Sequence, residues 1–302
     1  MTAPRPDQGL SRAALGQLVG SVVALGGAWP ITKYAVPAIP PLWFAVGRAA
    51  FAAISVTLVL ALLGRLRRLP RREVLTVVII ACFQIGGFFA LTHIALPYVP
   101  AGRTAILSNV TTIFIPALAL LVLHEHIPPA RWLATALGLA GVVVLAGPWS
   151  IDWSAPGVLF GHALLLSAAL CWSVAIILLR LRPPQVPMLS LLPWSFGLSA
   201  LMLLPLALSG APFPGPEAGR GAWLALGFVG LVGAPIGTWC ALAAQASLPA
   251  VVVSIGFLAT PATGIAVATL WLGEPLGWDL IAGGGLILLG VLVATVPRPK
   301  RR

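Results

Sequence analysis

The sequence predicts an all-α membrane protein in which ten transmembrane helices form two inverted five-helix repeats around a central cavity. Three observations carry that expectation: a charge-poor composition, ten apolar runs of spanning length, and one stretch that recurs in the second half. Of the 302 residues, 59% are hydrophobic and 8% charged, with seven acidic side chains in all. A soluble globular domain carries roughly 25% charged residues. So few charges cannot cover a water-facing surface, and the solvent of this chain is a bilayer.

In chain order the runs cover about 12–32, 41–63, 73–95, 100–123, 131–147, 156–178, 188–209, 221–245, 249–272 and 278–296. Each approaches the ~20 residues that a helix needs to cross ~30 Å of hydrocarbon. Continuous apolar runs exclude a β-barrel, whose strands alternate in shorter segments. Arg5 and Arg12 precede the first run, which lacks an A-x-A cleavage site and is followed by nine more. It therefore reads as a span and not as a signal peptide.

The recurring stretch is Pro100–Glu125 in the first half and Pro249–Glu274 in the second. Aligned without a gap, the two agree at Pro100/Pro249, Ala101/Ala250, Ile106/Ile255, Thr111/Thr260 and Glu125/Glu274, and at several alanines and leucines between. The proline and glutamate ends carry the weight, because both residues are uncommon beside such runs.

Orientation follows from the basic residues. With a cytoplasmic N-terminus, that side receives Arg5, Arg12, Arg65, Arg67, Arg68, Arg71, Arg72, Arg131, Arg180, Arg182, Arg298, Lys300, Arg301 and Arg302. Arg103 and Arg220 fall opposite, with Asp152, Glu217, Glu274 and Asp279. Both termini are thus expected in the cytosol. The net charge of +11 then anchors topology at a lipid surface, and no nucleic-acid partner is expected. Five helices per half is an odd number, so the second half enters the membrane upside down, as in many secondary transporters.

Ordered motifs now point to a family. Each half opens with a tryptophan before a small or helix-breaking residue, Trp29-Pro30 and Trp172-Ser173. Pro40-Pro41 precedes Arg48, the fourth helices end at His124-Glu125 and Gly273-Glu274, and the fifth are rich in glycine (Gly138, Gly141; Gly283, Gly284, Gly285, Gly290). In these features the chain resembles the drug/metabolite transporter superfamily with two EamA-type halves, and is most similar to YddG-type amino-acid exporters. The second half has Trp194 near the place of Arg48, and Thr112 stands opposite Pro261, with Pro116 four residues later. The resemblance implies 1–11 as a cytoplasmic tail, 12–147 and 148–296 as the two repeats, and 297–302 as a basic tail. It also implies a multi-pass protein of the bacterial inner membrane that exports amino acids, aromatic and other neutral ones among them, or related small metabolites by alternating access. The alternatives are a carrier of drugs, nucleotide sugars or sugar phosphates, and a non-transporting assembly factor.

Transporter sites gather where helices are broken near the midplane. Gly26 and Pro30 are expected to interrupt helix 1, Gly86-Gly87 to loosen helix 3, Gly233, Pro235 and Gly237 to loosen helix 8, and Pro261 to break helix 9. With Pro116, the residues Gly26, Pro30, Gly86, Pro235 and Pro261 make the candidate hinges. Buried amides need partners, so Gln84 and Gln245 should face the interior with Ser108, Asn109 and Thr112. Phe88 shares a helix face with Gln84. Trp29, Trp172 and Trp239 lie deeper than the tryptophans at run ends and complete the expected substrate walls with Ser254 and Phe257. For each of these, plain core packing or inter-helix hydrogen bonding is the competing reading.

Arg48, about seven residues inside the outer end of its run, is expected to snorkel outward in a structural role. Lys33 marks the outer end of helix 1, with pairing to a substrate carboxylate as the alternative reading. His93 and His162 lie toward the outer face, and Glu125 and Glu274 fit as carboxylates at helix N-termini. No acidic residue stands near mid-span, which disfavours proton antiport on a buried carboxylate. A P-loop is missing, as are H-E-x-x-H and G-x-S-x-G, so neither ATP hydrolysis nor a catalytic site is expected. Cys82, Cys171 and Cys240 stand apart in three runs and imply no disulfide or metal. The chain is thus expected to work as a monomer, without cofactor, on a small-molecule substrate in the lipid bilayer.

Overall fold

The computed structural model describes residues 11–95, 98–99, 107, 110–124, 127–147, 149, 152–272 and 278–295. Glu125, Glu274 and Arg103 lie outside the described residues.

Among those residues the regular structure is all helical. The helices are α1 (Arg12–Ala35), α2 (Pro41–Leu62), α3 (Arg71–Ala95), α4 (Thr111–Val122) and α5 (Pro129–Ala146), then α6 (Val158–Leu181), α7 (Met188–Gly210) and α8 (Pro216–Ser247). After them come α9 in two pieces, Ala250–Phe257 (α9a) and Ala259–Leu272 (α9b), and α10 (Trp278–Thr295). Proline starts several of them: Pro41 and Pro129 open α2 and α5, where a missing N–H costs no helical bond. Gly147 ends α5 in the left-handed conformation (φ 55°), its N–H donating to the Val143 carbonyl.

Six helices, α1, α2, α3, α6, α7 and α8, are long and apolar enough to cross a membrane. The others are shorter. At 1.5 Å per residue, the 18 residues of α5 and of α10 reach about 27 Å, near the hydrocarbon thickness.

Helix pairing is regular. α1 lies against α8 and α9b, and α6 lies against α3 and α4; α2 packs on α7, and α5 on α10. Glycine allows the closest of these approaches. A methyl group at Gly141 would lie 2.6 Å from the Gly283 carbonyl oxygen, and one at Gly290 2.8 Å from that of Ala134, so α5 and α10 touch backbone to backbone.

The two ends of the bundle differ in chemistry. At one end, Arg182 donates to the Arg72 carbonyl (3.0 Å), the Gln185 N–H donates to Glu73 (2.9 Å), and Arg180 donates to the Leu248 carbonyl. Glu73 is buried and also accepts from the Thr76 hydroxyl (2.9 Å). At the other end aromatic rings predominate. Trp43 stacks edge-on against Phe213 (5.0 Å) and donates to the Ala211 carbonyl (2.9 Å), while Tyr98 meets Phe160 (5.4 Å).

The expected helix breaks fare unequally. α3 widens into π turns over Ile80–Gly87, and α8 does the same over Val229–Gly233. Ile80 and Val229 stand at the same spacing as Pro100 and Pro249. In α3, methyl groups at Gly86 and Gly87 would lie 2.6 Å and 2.4 Å from the carbonyls of Ala81 and Cys82, so the widened turns need glycine there. In α8, Pro235 cannot donate to the Leu231 carbonyl, and that oxygen accepts from the Ser55 hydroxyl of α2 instead (2.7 Å). α9 breaks at Leu258, because Pro261 cannot donate to the carbonyl of Phe257.

Helix 1 departs from expectation. α1 runs unbroken from Arg12 to Ala35 with Pro30 inside it. The carbonyl that Pro30 leaves without its helical donor belongs to Gly26, which is held against α9b. A methyl group at Gly26 would lie 2.6 Å from the Thr260 carbonyl oxygen, and one at Gly264 3.0 Å from the Gly26 oxygen. Packing against the neighbour keeps the helix straight enough to continue. Pro116 likewise sits within a continuous α4.

Candidate functional site

α1, α2, α3, α4, α6, α8, α9a and α9b converge on one cavity. Its walls include Trp29 and Thr32 of α1, Arg48 of α2, Gln84, Phe88, Phe89 and His93 of α3, and Thr111 of α4. Trp172 of α6, Thr238 of α8, Phe257 of α9a and Thr260 of α9b close it. Measured as the space open to the centre of a water molecule, it holds about 40 Å³. A single water needs about 10–15 Å³ by that measure. A few waters fit, and a larger solute requires the walls to part.

One wall is aromatic. Phe88 meets Trp172 edge-on at 5.0 Å, Trp172 meets Phe257 at 5.8 Å, and Phe88 meets Phe89 at 5.0 Å. Such contacts hold rings in fixed relative orientation. The π turns of α3 set this wall, because they end at Gly87 and rotate Phe88, Phe89 and His93 onto the cavity side together with Gln84.

The polar atoms are mostly unspent. Gln84 donates to Gln245 across 3.1 Å, but Gln84 Oε1 and Gln245 Nε2 have no partner. His93 Nδ1 lies 2.7 Å from the Phe89 carbonyl, which can only accept, so the proton sits on Nδ1. Nε2, the other ring nitrogen, is buried without a partner. Trp172 Nε1 and Thr260 Oγ1 are buried and unpartnered as well. A desolvated polar group without a hydrogen bond costs about 1–3 kcal/mol. Several of them around one cavity are groups waiting for water or a solute.

Arg48 corrects its sequence-based reading. It does not snorkel outward: it is 8% exposed and lines the cavity, with its guanidinium carbon 3.7 Å from the centroid of Phe89. Among the described residues no carboxylate lies within ion-pair distance of it. The reason is rotational. The side chain leaves α2 on the face turned toward α3, and the Phe89 ring holds it there through a cation–π contact.

Of the residues expected to form the walls, Trp29, Gln84, Phe88, Trp172 and Phe257 line the cavity. Gln245 stands behind Gln84 as its hydrogen-bond partner. Ser254 is buried, but its hydroxyl donates within α9a to the Val251 carbonyl (3.0 Å), away from the cavity lining. Trp239 is a correction: it is 37% exposed on the outer surface of α8 and does not line the cavity. Ser108 and Asn109 lie outside the described residues, as does the side chain of Thr112, whose backbone belongs to α4. Sequence reasoning missed Phe89, Thr32, Thr111, Thr238 and Thr260. The alignment of Thr260 with Thr111 was the available signal, since both line the cavity.

With this geometry in place, comparison with known proteins defines the class. Residues 13–147 and 159–296 each match the EamA-like transporter family. The chain belongs to that family, within the drug/metabolite transporter superfamily: it is a multi-pass membrane transporter and not an enzyme. Among its relatives is the Bacillus subtilis (strain 168) protein named uncharacterized transporter YoaV, 24% identical over 94% of this chain and 97% of that protein. A riboflavin transporter of Rhizobium johnstonii (strain DSM 114642 / LMG 32736 / 3841) is 31% identical over 42% of this chain and 41% of its own length. A solved crystal structure superposes with a TM-score of 0.78 at 20% identity, covering 95% of this chain and 99% of that one, which establishes the shared fold.

Proposed function

We propose that the protein is a secondary carrier of the bacterial inner membrane that moves amino acids or related small organic metabolites outward by alternating access. The observation that carries this reading is the cavity between the helices, where buried polar atoms without partners meet helices that are widened or broken. Amino-acid substrates and the outward direction come from resemblance to the exporters, and the aromatic wall supports aromatic members of that class.

In this reading all ten helices span the bilayer, and residues 12–147 and 148–296 are inverted repeats. Two features support it. Every major helix contact has a counterpart when each helix is exchanged for the one five places on: α1 with α8 and α9, α6 with α3 and α4. The π turns of α3 and α8 also begin at equivalent places. Clustering of Arg65, Arg67, Arg68, Arg71, Arg72, Arg180 and Arg182 toward one end, with aromatic rings at the other, supports cytoplasmic termini and the basic tail 297–302 on that side. Trp29, Gln84, Phe88, Trp172 and Phe257 contact substrate, and Gly26, Pro30, Gly86, Pro116, Pro235 and Pro261 let the walls part. The carrier works as a monomer.

Flux tests the proposal. Purified protein in liposomes should carry at least one labelled amino acid in a panel, with little response to a pH gradient because no acidic residue stands mid-span. Flux of none of them ends the amino-acid reading. Riboflavin belongs in the same panel, since the partial relative bears that name and a flat ring suits the aromatic wall.

A further inference from the structure

Arg48 raises a question of charge balance. A buried, unpaired guanidinium is costly, and stacking on Phe89 offsets only part of that cost. Among the described residues Arg48 has no carboxylate partner. The acidic residues are Asp7, Glu73, Glu125, Asp152, Glu217, Glu274 and Asp279. Of the described ones, Glu73, Glu217 and Asp279 stand in the opening turns of α3, α8 and α10, and Asp152 precedes α6. None occupies the middle of a helix that lines the cavity. A bound solute is left as the source of the negative charge.

The other groups around the guanidinium narrow the solute. Trp172 Nε1–H and the Thr260 hydroxyl can donate to a carboxylate, and both are more than nine-tenths buried and unpartnered. Phe88, Trp172 and Phe257 offer a wall of ring edges and faces. For an ammonium group the described lining offers the neutral acceptors Gln84 Oε1 and His93 Nε2 but no carboxylate, and Arg48 repels it. One guanidinium matches one carboxylate in a bidentate fork, and among the described residues the lining holds no second arginine or lysine.

We infer that the cavity is built for an organic monoanion: a carboxylate set on Arg48, a flat apolar body against Phe88, Trp172 and Phe257, and no requirement for an ammonium group. The inference rests on the carrier reading and deepens it. An amino acid enters through its carboxylate, with its ammonium group tolerated and not recognised. A monocarboxylate of the same skeleton is bound at least as well.

Three probes of one skeleton separate the possibilities: 3-phenylpropionate (carboxylate only), phenylalanine (both groups) and phenethylamine (ammonium only). Binding of each labelled compound is measured on the full protein in nanodiscs, and flux in liposomes. 3-Phenylpropionate should bind as tightly as phenylalanine or more so, and phenethylamine at least tenfold more weakly. Arg48→Gln should weaken 3-phenylpropionate at least tenfold, bind phenethylamine more tightly than the parent because the like charge is gone, and raise thermal stability because the unpaired charge is gone. Arg48→Lys, which keeps the charge without the fork, should recover part of the affinity and guards against a folding defect in the first variant. Equal binding of all three probes, or 3-phenylpropionate affinity unchanged in both variants, overturns the inference and leaves the carrier reading standing. Carboxylate-selective, Arg48-dependent binding without flux of any probe upholds the inference about the site and contradicts the carrier reading.

Discussion

α3 and α8 are the third helices of their halves, and they share a backbone device while differing in chemistry. Both widen into π turns at equivalent places. In α3 the widened segment and the turn after it carry Gln84, Phe88, Phe89 and His93 into the cavity, whereas α8 contributes Thr238 and braces Gln84 through Gln245. The two also sustain the widening differently. α3 relies on Gly86 and Gly87, where any side chain meets a carbonyl, and α8 relies on Pro235 and the Ser55 hydroxyl that satisfies the carbonyl it frees. The two helices share a backbone architecture, and the polar chemistry is concentrated on one of them. Cavity function should therefore be far more sensitive to α3 than to α8.

The largest test of that asymmetry is Gly87→Ala against Gly233→Ala. A methyl group at Gly87 lies 2.4 Å from the Cys82 carbonyl, while one at Gly233 reaches its nearest neighbour, the Phe228 carbonyl, at 3.9 Å. The first should cost about 1–3 kcal/mol of stability and lower flux more than tenfold, as the π turns close up and Phe88 rotates off the cavity. The second should stay within about 0.5 kcal/mol. Thermal unfolding in detergent with parallel flux measurements reads both, and equal losses would erase the distinction between the helices.

Next comes the amide pair that joins them. Gln84→Ala leaves Gln245 buried without its partner and should cost about 1–3 kcal/mol. The double variant Gln84→Leu/Gln245→Leu should recover most of that stability while leaving flux depressed, which separates the structural bond from the free Oε1 in the cavity. Recovery of flux with stability would reduce the pair to packing.

Trp172→Ala should lower flux severalfold with insertion intact, whereas Trp239→Ala, on the outer surface of α8, should change it less than twofold. The smallest effect belongs to Ser55→Ala. It leaves the Leu231 carbonyl without a donor and should cost about 1 kcal/mol, with substrate affinity unchanged in a binding assay.

Much of this arrangement was legible in the sequence, because helix breaks and buried amides announce themselves by residue type. Pro261 in α9, paired glycines in α3 and a lone glutamine in an apolar run each constrain the backbone or demand a partner wherever the helix faces. Rotation about the helix axis was not legible. In helices apolar on every side, the periodicity that reveals a buried face in water has little contrast, so Arg48 and Trp239 were each assigned to the wrong face. Pro30 shows a second limit. Its neighbours predict a break, but Gly26 and Gly264 bring α9b close enough to hold α1 together, and that contact spans most of the chain.

Alternating access is the central claim, and Thr260 is placed to test it directly. In a cysteine-free background, Thr260→Cys puts one thiol on the cavity wall, to be labelled by a membrane-impermeant maleimide added to either face of oriented proteoliposomes. The account predicts labelling from both faces, slowed severalfold from each by saturating transported solute. Labelling from a single face under all conditions, or from neither, would contradict it.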